Sequence, residues 1–341
     1  MHVDASADIA ADPMQVETAA VTAETEGYDG IGVPETKHDV FGALTLAARA
    51  TSRISLQSAI AVAFARNPMT VAVQANDLQL ISAGRFQLGL GSQVKAHIER
   101  RFSMPWSHPA ARMEEFVSAV RAIWARWATG DRLAFRGEFY SHTLLTDFFD
   151  PGPNPYGNPP LLLAAVGERM TEVAGRVADG MLCHSFTTEA YLRERTMPAL
   201  RRVRRSLDGF TMSLPALAVL GATEADRRRA EAGVRGQIAF YGSTPAYRPV
   251  LDLHGWGDLH ERLNRMSRQN AWRDMAAAID DDVLSAFAVS GDALQVAMAL
   301  RDRFGDIVDR ISLYTPYPVD PLEVREVATH LRAMSPPQAP A

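Results

Sequence analysis

Two histidines in this chain stand where a proton donor or acceptor is useful. His38 closes the run Pro34-Glu35-Thr36-Lys37-His38 after the apolar segment Tyr28–Val33, and His184 follows the apolar segment Gly180–Cys183. Imidazole titrates near neutrality, so either ring can hold or pass a proton at pH 7. Either can equally be a loop-packing or half-buried structural histidine. Glu35 can orient His38 or Lys37, or simply end a strand. Cys183 reads chiefly as a small buried hydrophobe, since nothing beside it favours a thiolate. Its place next to His184 still puts it among the substrate-side candidates. The histidines are too scattered for a metal centre, with no H-x-x-x-H pair and no C-x-x-C.

A second chemistry is written in glycines. Gly91-Ser92-Gln93 leaves one apolar segment, and Val166-Gly167-Glu168-Arg169-Met170 leaves another and opens a helix. Glycine at a strand-to-helix junction frees backbone N–H groups for an anion such as phosphate. Plain turn chemistry explains each junction alone; two on adjacent strands favour a phosphate-bearing ligand. The dinucleotide fingerprint is absent, because Val94 stands where G-x-G-x-x-G needs its third glycine after Gly89-Leu90-Gly91. Phe102, Trp106, Phe139, Tyr140, Phe148 and Phe149 fall in loops and could wall a planar ligand or pin those loops.

The elements that must position these groups alternate. The spacing predicts strands over His2–Ser6, Tyr28–Val33, Ile54–Ala63, Phe86–Leu90, Leu161–Val166, Gly180–His184, Phe210–Leu220 and Ile307–Tyr314. Between them lie helical patterns: Pro13 to Gly27, Ala43–Thr51, Pro68 to Gly84, Pro109–Thr129, Gly167–Ala178, Thr188–Leu207, Glu224–Phe240, and Asp292 to Phe304. A last one spans Pro321–Met334. Asn67-Pro68 is an N-cap followed by proline at the first helical position, and Gly84 suits the far end. A polar loop is expected over Val94–His108, a hairpin turning at Arg136-Gly137 over Leu133–Ser141, and a long loop over Thr143–Pro160. An insertion of short helices is expected over Gly242–Asp281. Eight strands alternating with helices predict an α/β fold of the (β/α)8 TIM-barrel type with insertions. Residues 1–334 are expected to form one such domain, interrupted at about 94–108, 131–160 and 242–281, and 335–341 a frayed tail. Strand C-termini would then form the functional lip.

Composition narrows the partners. The 341 residues carry a net charge of -5, which argues against nucleic acid. The 35 basic residues are nearly all arginine, and runs such as Arg201 to Arg205 suit solvated helix faces. One cysteine excludes an internal disulfide and fits a reducing, cytoplasmic setting. The N-terminus lacks the basic and long apolar regions of a signal peptide, and no apolar run approaches a membrane span.

Three stretches together resemble the luciferase-like flavin/deazaflavin oxidoreductases: GRFQLGLGSQ from Gly84 to Gln93, RNPMTVAVQANDLQLISAGR from Arg66 to Arg85, and AAVGERMTEVAGRVADG from Ala164 to Gly180. The order of ARMEE at Ala111–Glu115 and FRGEFY at Phe135–Tyr140 is similar to theirs. Within that family the chain looks most like the branch using coenzyme F420, a 5-deazaflavin. The resemblance implies a (β/α)8 barrel whose cofactor lies across the C-terminal lip. It implies a bulge at Ala59-Ile60-Ala61 with a non-prolyl cis peptide, Ala59-Ile60, propping the ring. It implies phosphate contacts at Gly91, Ser92 and the Val166-Gly167-Glu168 turn, with Gln93 and Met170 beside them. Many relatives carry Arg where Ser92 stands, which weakens the case for FMN. They also often read E-H-H or D-H where Glu35-Thr36-Lys37-His38 stands, so the acid/base role falls to His38 or moves to His184.

The expected function is hydride transfer between coenzyme F420 and a small organic substrate, with Glu35, His38 and His184 as catalytic candidates. Phe102, Trp106 and Cys183 are expected on the substrate side, and the protein is expected to pair as a homodimer. The alternatives are an FMN-dependent monooxygenase supplied by a separate reductase, and a non-catalytic barrel that binds the deazaflavin.

Overall fold

The computed structural model describes residues 1–334; the expected tail at 335–341 lies outside them. In chain order the strands are β1 (His2–Ser6), β2 (Gly30–Val33), β3 (Ser55–Ser58), β4 (Ala61–Val62) and β5 (Phe86–Gly91). A small hairpin, β6 (Phe135–Arg136) and β7 (Ser141–His142), follows. Then come β8 (Leu161–Ala165), β9 (Gly180–Cys183), β10 (Thr211–Leu220), β11 (Ala288–Gly291) and β12 (Arg310–Tyr314). All pairs are parallel except the hairpin, and the order β1-β2-β3-β5-β8-β9-β10-β12 returns to β1. The sheet therefore closes into a (β/α)8 barrel. Such closure leaves none of these eight strands with an unpaired edge and buries them between lumen and helices.

Local chemistry accounts for the element boundaries. Asp12, Asn67, Thr223, Asp280 and Asp292 each turn a side-chain oxygen onto a free N–H of the first turn of the following helix. Proline stands in the first turn at Pro13, Pro68, Pro109 and Pro321, where its missing N–H costs nothing. The helix Pro109–Thr129 has the bounds its sequence predicts and buries Phe116, Val120, Ile123 and Trp127.

Four expectations need correction. The segment Ile54–Ala63 is not one strand: it breaks after Ser58, resumes at Ala61 and turns into a 3-10 helix, Ala63–Ala65. The loop Val94–His108 contains a helix, Lys95–Arg100. The helix expected over Thr188–Leu207 ends at Val203 and contains a π-helical turn, Leu192–Thr196. A strand the periodicity does not reveal, β11, pairs with the C-terminal half of β10 from Leu217↔Ala288 to Leu220↔Gly291. Ala-Val-Ser-Gly is too short to carry a period of its own.

Two buried clusters divide the packing. The larger lies between barrel strands and surrounding helices. The smaller joins Leu217 and Val219 of β10 to the helix Glu224–Gly242 and to the insertion through Val250, Leu251, Leu263 and Met275. The N-terminal end of the lumen is polar instead. Arg310 donates to both Asp4 carboxylate oxygens at 2.7 and 2.5 Å, and to Ser55 Oγ at 2.8 Å. Gly30 makes this possible, since a Cβ there would lie 2.4 Å from Ser55 Oγ and 2.5 Å from Arg310 Nη2. Burial pushes the Asp4 carboxyl above its usual value, and the Arg310 charge works against that rise.

Removing one partner of this pair leaves the other charge buried and uncompensated. Arg310→Met is expected to lower the unfolding free energy by about 3–5 kcal/mol, read as a reduced denaturant midpoint. A loss below about 1 kcal/mol would show that water already screens the pair.

Candidate active site

The barrel mouth is shaped by a slip in register. Leu56 and Gln57 of β3 pair with Phe86 and Gln87, whereas Ala61 and Val62 of β4 pair with Leu90 and Gly91. The offset changes by one, so one extra residue bulges between the two stretches. Ser58 replaces the lost ladder with its side chain: its Oγ donates to Gly89 O and accepts from Gly89 N, both at 2.9 Å. The peptide Ala59-Ile60 within the bulge is cis. Ala59 is exposed although strands flank it on either side, so the bulge presents a small apolar platform at the mouth.

Glycines clear the space around that platform. A Cβ on Gly91 would meet Ile60 Cδ1 at 2.8 Å, and one on Gly89 would lie 1.9 Å from Ser58 O. Gly32 faces Ala59, whose Cβ would be 3.3 Å from its own. A side chain at Gly89 would displace the Ser58 backbone of the bulge, and one at Gly91 would push the Ile60 side chain aside.

Glu35 fastens the bulge from the β2 side. Its Oε2 accepts from Val62 N at 2.6 Å and from Arg66 Nη1 at 2.7 Å, and its Oε1 accepts from Arg66 Nη2 at 2.5 Å. Its own N–H donates to Ile60 O at 3.3 Å. Arg66 also reaches Asp39 Oδ2 at 2.7 Å, and Asp39 caps the helix Val40–Ala50 through Gly42 N. The Glu35 carboxylate, expected among the catalytic candidates, braces the bulge through its bonds. His38 sits on the exposed bend between these braced residues.

The two glycine junctions lie side by side next to the platform, on β5 and on β8 beyond it. Gly91 ends β5, and Ser92 and Gln93 leave it partly buried, with Gln93 in a left-handed conformation, φ 59°. Gly167 caps the helix Glu168–Val177 without any side-chain bond to its free N–H groups, and a Cβ there would meet nothing within 4 Å. Glu168 is drawn off this positive end by Arg202, whose Nη2 donates to it at 3.0 Å. Val166 and Met170 are partly buried at the same junction. Ala61, by contrast, is fully buried in its pairing with Leu90, so its side chain cannot touch a ligand.

Across the mouth, the insertion folds onto His184. The amide N–H of Phe186 donates to His184 Nδ1 at 3.0 Å, and His184 Nε2 lies 3.1 Å from Tyr247 Oη. Tyr247 stacks on the imidazole with ring centroids 4.6 Å apart, and Tyr241 meets it edge-on at 4.6 Å. Tyr241 Oη in turn lies 3.4 Å from Tyr314 Oη at the end of β12. Burial pushes the His184 pKa down to about 4 and the Tyr247 phenol up to about 12. At neutral pH His184 is therefore uncharged. Tyr247, Tyr241 and Tyr314 were not singled out as a group by sequence. Tyr247 sits in a short 3-10 turn, Pro245–Tyr247, inside the insertion, and its partner is distant in the chain.

Cys183 leaves the substrate side. It is buried in the layer between strand and helices, because alternation along β9 turns it opposite to His184, and burial pushes its thiol up to about 12. Trp106 packs edge-on against Phe64 at 5.7 Å, just past the bulge, while Phe102 lies under the Arg101 guanidinium at 4.8 Å. Tyr140 accepts from Arg112 Nε at 2.8 Å and packs on Phe116. Phe148 and Phe149 are exposed and pack on each other, so they do not wall the mouth. No cluster of metal-binding side chains occurs among the described residues. No helix among them is long and apolar enough to cross a membrane.

Three comparisons bear on this geometry. A family model described as luciferase-like monooxygenase matches residues 2–310. An uncharacterized protein of Mycobacterium tuberculosis is 52% identical over 297 residues, covering 86% of this chain and 87% of that one. A 5,10-methylenetetrahydromethanopterin reductase of Archaeoglobus fulgidus is 26% identical, covering 81% and 82%. In three dimensions the chain superimposes on the coenzyme F420 dependent tetrahydromethanopterin reductase of Methanopyrus kandleri with a TM-score of 0.79. Identity there is 19%, with coverage of 97% and 98%.

The buried neutral imidazole makes stability depend on pH. An unfolded chain protonates a histidine near its model value of 6.5, whereas His184 takes a proton only near 4. The unfolded state thus binds more protons in that window, and stability falls as pH drops from about 6.5 to about 4, by at most about 3 kcal/mol from this residue. Denaturant melts at pH 7.5 and 5 are expected to differ more for the wild type than for His184→Gln. Equal differences would mean that the ring is hydrated in the folded protein.

Proposed function

As this chain belongs to the luciferase-like monooxygenase family, we propose that it is a coenzyme F420-dependent oxidoreductase acting on a small organic substrate. The observation that carries this reading is the exposed Ala59 platform on the bulge, with Gly91 on the adjacent strand and the uncapped helix N-terminus at Gly167 one strand further on. A planar ring on the platform and a phosphate at the glycine junctions account for both features together. The preference for the deazaflavin is supported by a Mycobacterium tuberculosis relative, 26% identical over 298 residues and named a putative coenzyme F420-dependent oxidoreductase, and by serine rather than arginine at position 92.

In this reading each residue has a defined task. Ala59 and Ile60 support one face of the ring, while Glu35 and Arg66 keep that support rigid. The backbone N–H groups around Gly91-Ser92 and Gly167-Glu168 hold the phosphate, helped by the positive end of the helix. When bound, the deazaflavin supplies a two-electron hydride carrier. The residues around it orient the substrate and exclude water. His38, exposed at the rim, is a candidate for exchanging protons with solvent. Phe102 and Trp106 border the substrate's entry.

A cytoplasmic homodimer completes the proposal. Val73 and Leu80 lie seven residues apart on one face of the helix Pro68–Ile81 and are 41% and 50% exposed, which suits a covered surface better than a free one.

Fluorescence titration with coenzyme F420 and FMN in parallel tests the reading. The deazaflavin is expected to bind at least about tenfold more tightly than FMN. Gly91→Ala, which forces Ile60 off its place, is expected to weaken that binding about tenfold or more, roughly 1.4 kcal/mol. Preferential FMN binding would instead favour a monooxygenase fed by a reductase, and binding of neither would leave a barrel without this cofactor.

A further inference from the structure

We infer that Tyr247 is the residue that donates a hydrogen bond, and in turnover a proton, to the substrate's oxygen, and that the substrate presents an uncharged carbonyl or hydroxyl on an apolar body. The inference rests on the oxidoreductase reading for its hydride step, but its binding geometry stands on the cofactor-free protein.

His184 Nδ1 accepts from the Phe186 amide N–H at 3.0 Å, so that nitrogen carries a lone pair. A neutral imidazole has one ring hydrogen, which must then sit on Nε2. It points at Tyr247 Oη, 3.1 Å away. The phenol oxygen is thereby an acceptor towards His184, and its own hydrogen is left to donate elsewhere. No other bond of Tyr247 Oη occurs among the described residues. The stacking of the two rings and the edge of Tyr241 hold the phenol in this orientation.

Topology puts this donor in a useful place. His184 follows β9 and Tyr314 ends β12, at the C-terminal ends that form the mouth. In the closed strand order these lie on the arc across from β3, which carries the Ala59 platform. A ring seated on the platform would face the Tyr247–Tyr241–Tyr314 arc, with the substrate between. The titratable groups around Tyr247 are His184, Tyr241 and Tyr314; burial leaves the imidazole uncharged at pH 7, and burial and Tyr241 push the Tyr247 and Tyr314 phenols up. An arc of neutral donors between aromatic faces suits an uncharged oxygen, whereas a carboxylate or phosphate calls for a cation.

The chemistry balances. In reduction, the carbonyl carbon gains a hydride from the reduced deazaflavin, the C=O π bond breaks, and the oxygen takes the Tyr247 proton to give an alcohol. The phenolate is stabilised by the His184 Nε2–H bond until water returns a proton. Oxidation of an alcohol is the reverse. Tyr247 is thus the catalytic residue and His184 a positioning residue.

Two experiments on the cofactor-free protein test this. Nitrogen NMR of the histidine rings, with the His184 signals identified by their loss in His184→Ala, is expected to show hydrogen on Nε2 at pH 7. Hydrogen on Nδ1 would overturn the proposal, because Tyr247 would then donate to His184. Acetophenone, titrated against protein labelled at the tyrosine Cζ, is expected to shift the Tyr247 signal. Its affinity should fall about tenfold in Tyr247→Phe, and less in His184→Gln, which keeps an N–H donor, than in His184→Ala. Pyruvate is expected to bind more weakly. No shift with acetophenone, unchanged affinity in Tyr247→Phe, or tighter pyruvate binding would overturn the substrate class. These outcomes are read without cofactor, so failure of the deazaflavin titration leaves them distinct. In enzyme loaded with reduced F420, Tyr247→Phe is expected to lower acetophenone turnover about 10²–10⁴-fold at unchanged cofactor affinity. Undiminished turnover would remove Tyr247 from proton transfer.

Discussion

The Glu35 carboxylate holds together the stretch where the barrel's hydrogen-bond ladder is interrupted. A bulge leaves backbone groups without ladder partners, and buried groups in that state are costly. Here Ser58 Oγ serves Gly89, and Glu35 serves Val62 N and the Arg66 guanidinium. Both replacements come from side chains of limited reach, so the bulge has little freedom to slide. Ala59 stands exposed at the mouth because these bonds hold the backbone on either side of it.

The rest of the barrel is consistent with that constraint. Gly30 admits the Asp4–Arg310–Ser55 cluster at the closed end, while Gly89 and Gly91 let the bulge lie close to β5. One end of the lumen is filled by a satisfied ion pair, and at the other Gly89 and Gly91 let the bulge pack against β5 with Ala59 exposed. The result is a closed polar floor below an exposed platform at the strand C-termini, the end where such barrels receive a ligand.

The insertion completes the mouth from the far side. Its helices pack on the helix Glu224–Gly242 and the outer half of β10, forming a core of their own with Phe186 and Tyr191. That packing holds Tyr247 over His184. The imidazole is kept neutral by burial, and one backbone N–H occupies its Nδ1, so it presents Nε2 to the Tyr247 phenol.

Much of this was legible in the sequence. The alternation of apolar runs with capped helices determined the eight-stranded barrel, because closing a parallel sheet between two apolar layers requires those patterns. Asn67-Pro68 and Pro109 marked their helix starts through local chemistry alone. Resemblance located the cis peptide at Ala59-Ile60. What the tertiary structure decided was the use of each side chain. Glu35 meets Arg66, Cys183 turns away from the mouth, and Tyr247 comes to His184 from 63 residues along the chain. Periodicity reports which face of an element is buried; it carries no information about which distant group lies against that face, and that depends on how the insertion folds back over the barrel.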